Sequence, residues 1–331
     1  MCIITSTELL ETDKVLRTKL GFMSSFFTFI RRNVILNLKK PLGFPEQISK
    51  LKEHNLIISD EQSALEVLSK INYYRFSGYA LQFRKEPGNS DLIDGITFER
   101  VYSIYLFDEA MRDICRKYLE KAEIYYKTQI SHNFTLKKCS TPPYDQHYDE
   151  NNYYYKQGYN EVMDSFKKEK NYYKDSLIVK HHTEKYSNKM PLWVIFELMS
   201  FSNTSKLYGC MYFSEKDLIA KAVGTGMRTL ENHLHCLSVL RNKCSHAARM
   251  YNTKFYPPAK FPSKFYRRYP SVSNDSLFAY ILVLIKRLPD QKDKDNLIND
   301  VSDTIKKYAE NIDLMLIGFP VNYEDIMNNN K

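Results

Sequence analysis

Five residues in one short segment have side chains suited to chemistry on a phosphodiester: Arg241, Asn242, Lys243, His246 and Arg249. A guanidinium is a permanent cation that can stabilise charge on phosphoryl oxygens, and an imidazole can accept or donate a proton near neutral pH. Asn242 and His246 are four residues apart and would share one face of a helix, and Arg249 follows His246 by three residues. Two arginines, an amide and an imidazole in this order suit a phosphodiester substrate.

Arg241 lies where the hydrophobic pattern predicts a buried position. The residues that repeat at steps of three and four in this segment are Met227, Leu230, Leu234, Leu237, Arg241, Cys244 and Ala248, which is typical of an amphipathic helix. Because a guanidinium keeps its charge, such an arginine must be paired with an anion or must face a cleft that receives one. The alternative is an arginine whose stem packs along the core while its head reaches solvent or a carboxylate.

The spacing of Arg241 and His246 bears on how a site could be assembled. Five residues correspond to about 140° around a regular helix, so the two side chains leave the helix in different directions. Arg241 is long enough to bend back toward His246, but the spacing also suits a site that a second copy of the same helix completes. The residues alone leave both arrangements open.

Helices must position this segment, because the rest of the chain predicts an all-α fold. Ser59 and Gln62 predict a capping box for a helix that runs to about Lys70, and Thr97 is expected to cap a long helix that extends to about Phe134. Further helices are predicted over residues 45–55, 73–83, 191–201, 276–287 and 292–311. Glycines 224 and 226 break the chain before the Arg241 segment, and four prolines between residues 257 and 270 predict an irregular crossing.

The segment 241–252 resembles the R-x4-H signature of the HEPN superfamily of helical nucleases, in the form found in the Abi-like, abortive-infection family of bacteriophage-resistance proteins. Segments that resemble the same family, in the same order, are 41–48, 71–79, 191–201 and 317–320. The resemblance implies a HEPN-like helical bundle with additional helices over residues 40–326, with a possible irregular or mobile insertion at 138–160. A variable N-terminal extension would cover residues 1–39 and a tail residues 327–331. Ala247 departs from the pattern, because many members carry a second histidine there.

The resemblance implies metal-independent cleavage of RNA. The ribose 2′-hydroxyl would attack the adjacent phosphorus, His246 would act as general base or acid, and Arg241 would stabilise charge on the phosphoryl oxygens. Asn242 would hold the imidazole or the chain around it by hydrogen bonds. The expected products are a 2′,3′-cyclic phosphate and a 5′-hydroxyl, so DNA would not be a substrate.

Four more residues receive roles by position. Arg249 and Lys243 are expected to bind the phosphate backbone, and Arg75, beside two tyrosines in a matching segment, is a candidate RNA contact. Glu123 matches an acidic residue of the family pattern and is the hypothesised partner of Arg241 or orienter of the site. Its alternative is a solvated i, i+4 pair with Lys127.

Composition agrees with a partner such as RNA. The net charge is +9 and the pI is about 9.0, which favours polyanions, although an AT-rich genome or a solvated basic surface would give similar numbers. The six cysteines show no paired spacing and are expected to be reduced, and the adjacent histidines lack the spacing of metal ligands. No metal, cofactor or membrane span is expected, and the default location is the cytoplasm.

Three functions remain open at the level of sequence. The first is a growth-arresting endoribonuclease toxin for phage defence, held inactive until infection by an RNA or protein inhibitor or by low activity. The second is an RNA-binding protein of the same fold that holds a regulatory RNA without cutting it, and the third is a structural subunit in which Arg241 and His246 are a satisfied pair. Because HEPN nucleases generally combine two signatures and this chain has one, the first function predicts a homodimer.

Overall fold

Helices make up the regular secondary structure of the part of the chain that the structure describes. The computed structural model describes residues 38–331, and in that range there are fourteen α-helices, four short 3-10 turns, three isolated bridges and no strand. The predicted all-α fold class is therefore confirmed. The helices are α1 (Phe44–Glu53), α2 (Glu61–Lys70), α3 (Tyr73–Ala80), α4 (Phe98–Lys138), α5 (Lys156–Tyr172), α6 (Leu177–Lys185), α7 (Leu192–Leu198), α8 (Phe201–Cys210), α9 (Phe213–Ala222), α10 (Met227–Ser245), α11 (Ser263–Arg268), α12 (Leu277–Arg287), α13 (Gln291–Tyr308) and α14 (Tyr323–Asn328).

Side-chain caps fix where the helices begin. Thr97 caps α4 as predicted, since its hydroxyl accepts a 3.1 Å hydrogen bond from the amide of Arg100, and the helix continues four residues past the predicted end. The capping box predicted at Ser59 is wrong by one position, because Asp60 is the capping residue and its carboxylate accepts from the amide of Ser63 at 3.0 Å. Both side chains are good caps, so the local sequence did not separate them.

The helix predicted over residues 191–201 ends three residues early, and a second helix begins at residue 201. Helix α7 ends at Leu198, and Ser200 then caps α8 by accepting a 3.3 Å hydrogen bond from the amide of Asn203. The serine favours a new helix start over continuation, and the apolar run did not reveal this break. Helices α5, α6, α9, α11 and α14 were not predicted, and only the first residue of α8 was.

The core is built around two helices. Helix α12 is apolar on all sides and every residue from 277 to 285 is fully buried, as expected for a helix at the centre of a bundle. Helix α4, with 41 residues, packs against α3, α7, α9, α10, α12 and α13. Helix α10, which carries the R-x4-H signature, packs against α4, α8, α9 and α12. The helix that carries the signature thus packs against both the longest helix and the most buried one.

The segments that were predicted to be irregular pack into this core. Residues 138–160 form two 3-10 turns and the start of α5, with His147 and Tyr153 buried. The proline-bearing crossing follows α10 and is held by Asn232, which donates to the carbonyl of Pro258 at 3.0 Å and accepts from the amide of Lys260 at 2.8 Å.

The two ends of the chain are described only in part. The predicted N-terminal extension lies outside the described residues except for its last two, and residues 38–47 include a turn in which the Gly43 amide donates to the Glu46 carboxylate at 2.8 Å. At the other end, Met327 is buried and Asn330 donates to the carbonyl of Leu282 at 2.8 Å. No helix between residues 38 and 331 is long and apolar enough to span a bilayer.

Candidate functional site

Helix α10 ends in the middle of the signature. Ser245 is its last residue and His246 its C-terminal cap. The amide of Ala247 donates to the carbonyl of Cys244 at 3.3 Å and that of Ala248 to the carbonyl of Lys243 at 2.8 Å, which is the Schellman arrangement. His246 is therefore an exposed residue at a helix end, and Ala248, predicted as the last position of the apolar stripe, lies beyond the helix. We call residues 246–251 the signature turn.

Arg241 is paired with a carboxylate on α4. Its Nε lies 3.5 Å from Oε2 of Glu123, and the arginine side chain is 39% exposed while that of Glu123 is 14% exposed. Oε1 of Glu123 also lies 2.8 Å from Nζ of Lys127. Glu123 thus pairs with both cations, but the pair with Lys127 is mostly buried rather than solvated. The guanidinium at a stripe position is explained by a partner at the edge of the core.

Asn242 and Lys243 contact other parts of the bundle. The side chain of Asn242 donates to the hydroxyl of Ser202 at the start of α8 at 3.0 Å, while its backbone carbonyl accepts from the amide of His246 at 3.0 Å. The ammonium of Lys243 lies 4.9 Å from the ring centroid of Phe255, and burial lowers the pKa of Lys243. The imidazole of His246 makes no hydrogen bond within the described residues, so the amide of Asn242 does not orient it.

Three arginines from distant segments bind carbonyls at the end of α10. Arg75 of α3 donates to Ala247, Arg116 of α4 donates to Cys244 at 3.0 Å, and Arg112 of α4 lies 3.5 Å from the carbonyl of Ala248. Cys244 lies in the last turn of α10, whose carbonyls carry the negative end of the helix dipole, whereas Ala247 and Ala248 directly follow the helix. Cations at this position stabilise the turn. Arg75, predicted as an RNA contact, thus lies at the signature turn although 172 residues separate it from Ala247.

Arg249 links the signature turn to helix α3. It donates to the carbonyl of Gly78 in α3, and its guanidinium carbon lies 6.0 Å from the ring centroid of Tyr79. A Cβ atom added to Gly78 would lie 3.4 Å from the Arg249 guanidinium, an ordinary contact distance, so this contact does not require a glycine.

Asp108 binds backbone amides of the signature turn from the core of the protein. This fully buried carboxylate accepts hydrogen bonds from the amides of Met250 at 3.1 Å and Tyr251 at 2.9 Å, from the hydroxyl of Tyr79 at 2.7 Å, and from Arg112 at 2.6 Å. Burial raises the pKa of Asp108, although the Arg112 guanidinium beside it and the three other donors oppose that rise. The carboxylate thus satisfies two backbone donors and one buried cation at once.

The sequence interpretation missed Asp108, Arg112 and Arg116. Asp108 lies three residues after Tyr105 and three before Met111, both on the apolar stripe of α4. The argument applied to Arg241, that a charge on a stripe needs a partner, therefore applied to Asp108 as well. The i, i+4 spacing to Arg112 named one partner. The two backbone amides could not have been named, since they are 142 and 143 residues away.

The histidines that were considered as metal ligands have other surroundings. His233 accepts from Nε of Arg287 at Nδ1, at 2.8 Å, and Nε2 donates to the carbonyl of Lys260 at 2.7 Å. Burial, with the nearby Arg287 charge, lowers the pKa of His233 to about 3. Within residues 38–331 no three histidine, cysteine, aspartate or glutamate side chains are grouped so that they could hold a metal ion, and the cysteines there form no disulfide.

Comparison with known proteins gives one match. A model of the family described as Abi-like protein matches residues 66–252, which is more than half of the chain and includes every site residue named above from Arg75 to Tyr251. The segments 41–48 and 317–320, which the sequence pattern assigned to the same family, lie outside this match. No curated protein and no solved structure matches the chain.

Proposed function

Because the chain belongs to the Abi-like protein family, we propose that it is an abortive-infection defence protein that acts as a metal-independent endoribonuclease of the HEPN type. Membership of the family supports the defence role. The observation that carries the enzymatic proposal is the placement of Arg241 and His246: a half-exposed guanidinium beside Glu123, and an exposed imidazole at a helix end that several long-range contacts fix.

The proposed reaction uses the substrate's own hydroxyl. The 2′-oxygen bonds to phosphorus as His246 removes its proton, and the bond from phosphorus to the 5′-oxygen breaks as that oxygen receives a proton. Arg241 stabilises the negative charge on the non-bridging oxygens, and Glu123 restrains the guanidinium. Arg75, Lys243 and Arg249 add positive charge around the signature turn for the RNA backbone, and Asn242 fixes the helix that carries Arg241.

A second copy of the chain would complete the site. One His246 cannot be both base and acid in the same step, and within one described chain no hydrogen bond orients it. In a homodimer the two copies would divide the two proton transfers, and each would meet the other's signature. The mass of the cleaving species by light scattering tests this assembly, and a monomer that cleaves RNA would refute it.

The unoriented imidazole also favours a second candidate function. A protein that grips a regulatory RNA needs the cations of this region but does not need His246 in a particular orientation. In that case the RNA is retained without being cut.

We expect purified protein to cleave end-labelled single-stranded RNA in EDTA and to leave 2′,3′-cyclic phosphate ends. Arg241→Ala and His246→Ala should each reduce cleavage by about 100-fold or more, because each removes a group that acts in the transition state. The matched controls are Arg228→Ala and His235→Ala, which remove exposed side chains of the same types from the same helix. They should retain the rate of the wild type.

Growth on expression gives the same test in cells. The cleavage reaction predicts that wild-type protein arrests growth and that His246→Ala is tolerated. RNA that remains intact with wild-type protein but is retained in a binding assay would instead support the RNA-binding candidate.

A further inference from the structure

An open cleft lies beside the signature turn. It has a volume of about 470 Å³ and is formed by the end of α2, the start of α3 and the middle of α4, with Ala247 at its edge. Ala247 is the residue directly after His246, so the cleft adjoins the proposed site of cleavage. Of its lining residues only Arg75 was assigned a ligand contact from the sequence.

Cations dominate the lining of the cleft. Lys70, Arg75, Arg112 and Arg116 all line it. Arg112 is neutralised by the buried Asp108 at 2.6 Å, and Arg116 shares its charge with exposed Asp113 at 2.6 Å. Within the described residues Lys70 and Arg75 take part in no ion pair, so two cations are left without a carboxylate.

Arg75 and Arg116 each have N–H groups that form no hydrogen bond within the described residues. A guanidinium carries five N–H groups, and Arg75 uses one of them for the carbonyl of Ala247. Arg116 uses one for Asp113 and one for the carbonyl of Cys244. These bonds hold both side chains in place at the wall of the cleft, and the remaining donors are available to an anion.

One carboxylate without an ion pair also lines the cleft. Glu109 is exposed and accepts a hydrogen bond from the hydroxyl of Tyr105 at 3.3 Å. A wall that combines cations with a carboxylate suits a ligand that carries both an anion and hydrogen-bond donors. A ribonucleotide has this combination, with its phosphate, its 2′-hydroxyl and the amino groups of its base.

We propose that this cleft binds a nucleotide of the RNA chain next to the scissile phosphate. Lys70, Arg75 and Arg116 bind its phosphate, and Glu109 accepts a hydrogen bond from its ribose or base. This assignment rests on the proposed function in that it takes the same RNA. It adds Lys70, Glu109 and Arg116 to the residues that contact it and places the substrate on the α3 side of the turn.

Lys70 provides the cleanest test, because its removal breaks no ion pair among the described residues. The probe is a fluorescein-labelled single-stranded RNA, and its binding to the His246→Ala protein is measured by anisotropy over a range of salt concentrations. Lys70→Ala should weaken binding several-fold and reduce the slope of log K against log salt by about 0.7, the value for one lost phosphate contact on a single strand.

Lys117→Ala is the matched control. Lys117 is the neighbour of Arg116 on α4, but its ammonium pairs with Asp300 at 3.0 Å and does not line the cleft. Affinity and slope should stay at the level of the His246→Ala protein. Equal losses from Lys70→Ala and Lys117→Ala would show a general effect of charge and would overturn the assignment, as would no loss from Lys70→Ala.

Two further measurements separate the possible failures. An oligoglutamate peptide that displaces the RNA at comparable concentration would identify the cleft as a site for acidic peptides and would also overturn the assignment. If wild-type protein leaves RNA intact while Lys70→Ala still weakens binding, the nuclease proposal fails and the nucleotide cleft stands. If wild-type protein cleaves RNA while Lys70→Ala binds it normally, the nuclease proposal stands and the nucleotide cleft fails.

Discussion

The side chain of Asp108 connects three segments of this protein. It joins α4, α3 and the signature turn through four different residues, and its charge is the partner of a buried guanidinium. A buried ion pair contributes little net stability compared with an apolar pair, but removal of one partner leaves the other charge uncompensated. The conformation of the turn therefore depends on a residue far from it in sequence.

Asp108→Asn should lower the free energy of unfolding by about 3–5 kcal/mol, because the amide keeps the shape but leaves Arg112 without a counter-charge. Urea denaturation followed by circular dichroism measures this change. The control is Asp113→Asn, which removes an exposed partner of Arg116 and should cost less than about 0.5 kcal/mol. Similar losses for the two variants would contradict the role assigned to Asp108.

Ala247 is strained in a way that a substitution can relieve. Its φ is +48°, in the left-handed region that glycine adopts without steric cost. We expect Ala247→Gly to raise the free energy of unfolding by about 1 kcal/mol. Ala248→Gly, at the next residue, where φ is not positive, should give no gain. Thermal unfolding of the three proteins side by side decides between these outcomes.

At the scale of elements, helix α10 is a structural helix that also carries the chemistry. Leu230, Leu234 and Leu237 are fully buried, as the periodicity of the sequence predicted. The same periodicity did not predict where the helix ends, since arginines of α3 and α4 donate hydrogen bonds to the carbonyls at that end. It also did not predict that His233 on this helix is a buried structural residue.

His233 gives the helix a pH-dependent stability. Its pKa is about 3 in the folded protein and 6.5 without the fold, so the unfolded chain binds a proton in this range that the folded protein does not. Stability should therefore fall as pH falls below about 6.5. Between pH 7 and pH 5 the contribution is about 2 kcal/mol.

His233→Gln should remove this contribution, because glutamine does not titrate and its amide can still donate to the carbonyl of Lys260. The measurement is the difference in unfolding free energy between pH 7 and pH 5 for each protein. His147, whose pKa burial also lowers, adds to the slope of both proteins and cancels in the comparison. An unchanged slope in the variant would show that His233 titrates normally in the folded chain.

At the scale of the whole molecule, the sequence predicted the fold class and the long helices α4, α10, α12 and α13, because their periodicity is local information. It also predicted the pairing of Glu123 with Arg241, through a resemblance to a family. The sequence could not predict the cluster of arginines at the end of α10, because Arg75, Arg112 and Arg116 each donate to carbonyls more than 120 residues away. Backbone acceptors have no residue type that a pattern could reveal.

The long-range support of the signature turn has a consequence for how the cell makes this protein. A ribosome releases α3 and α4 well before α10, so Asp108 and the arginines that contact the signature turn are already synthesised when Met250 and Tyr251 emerge. Incomplete chains that stop before these residues lack the contacts to Asp108. Under the proposed nuclease function, chains that stop before Met250 and Tyr251 would lack the contacts that hold the turn at His246, so cleavage would require translation past these residues.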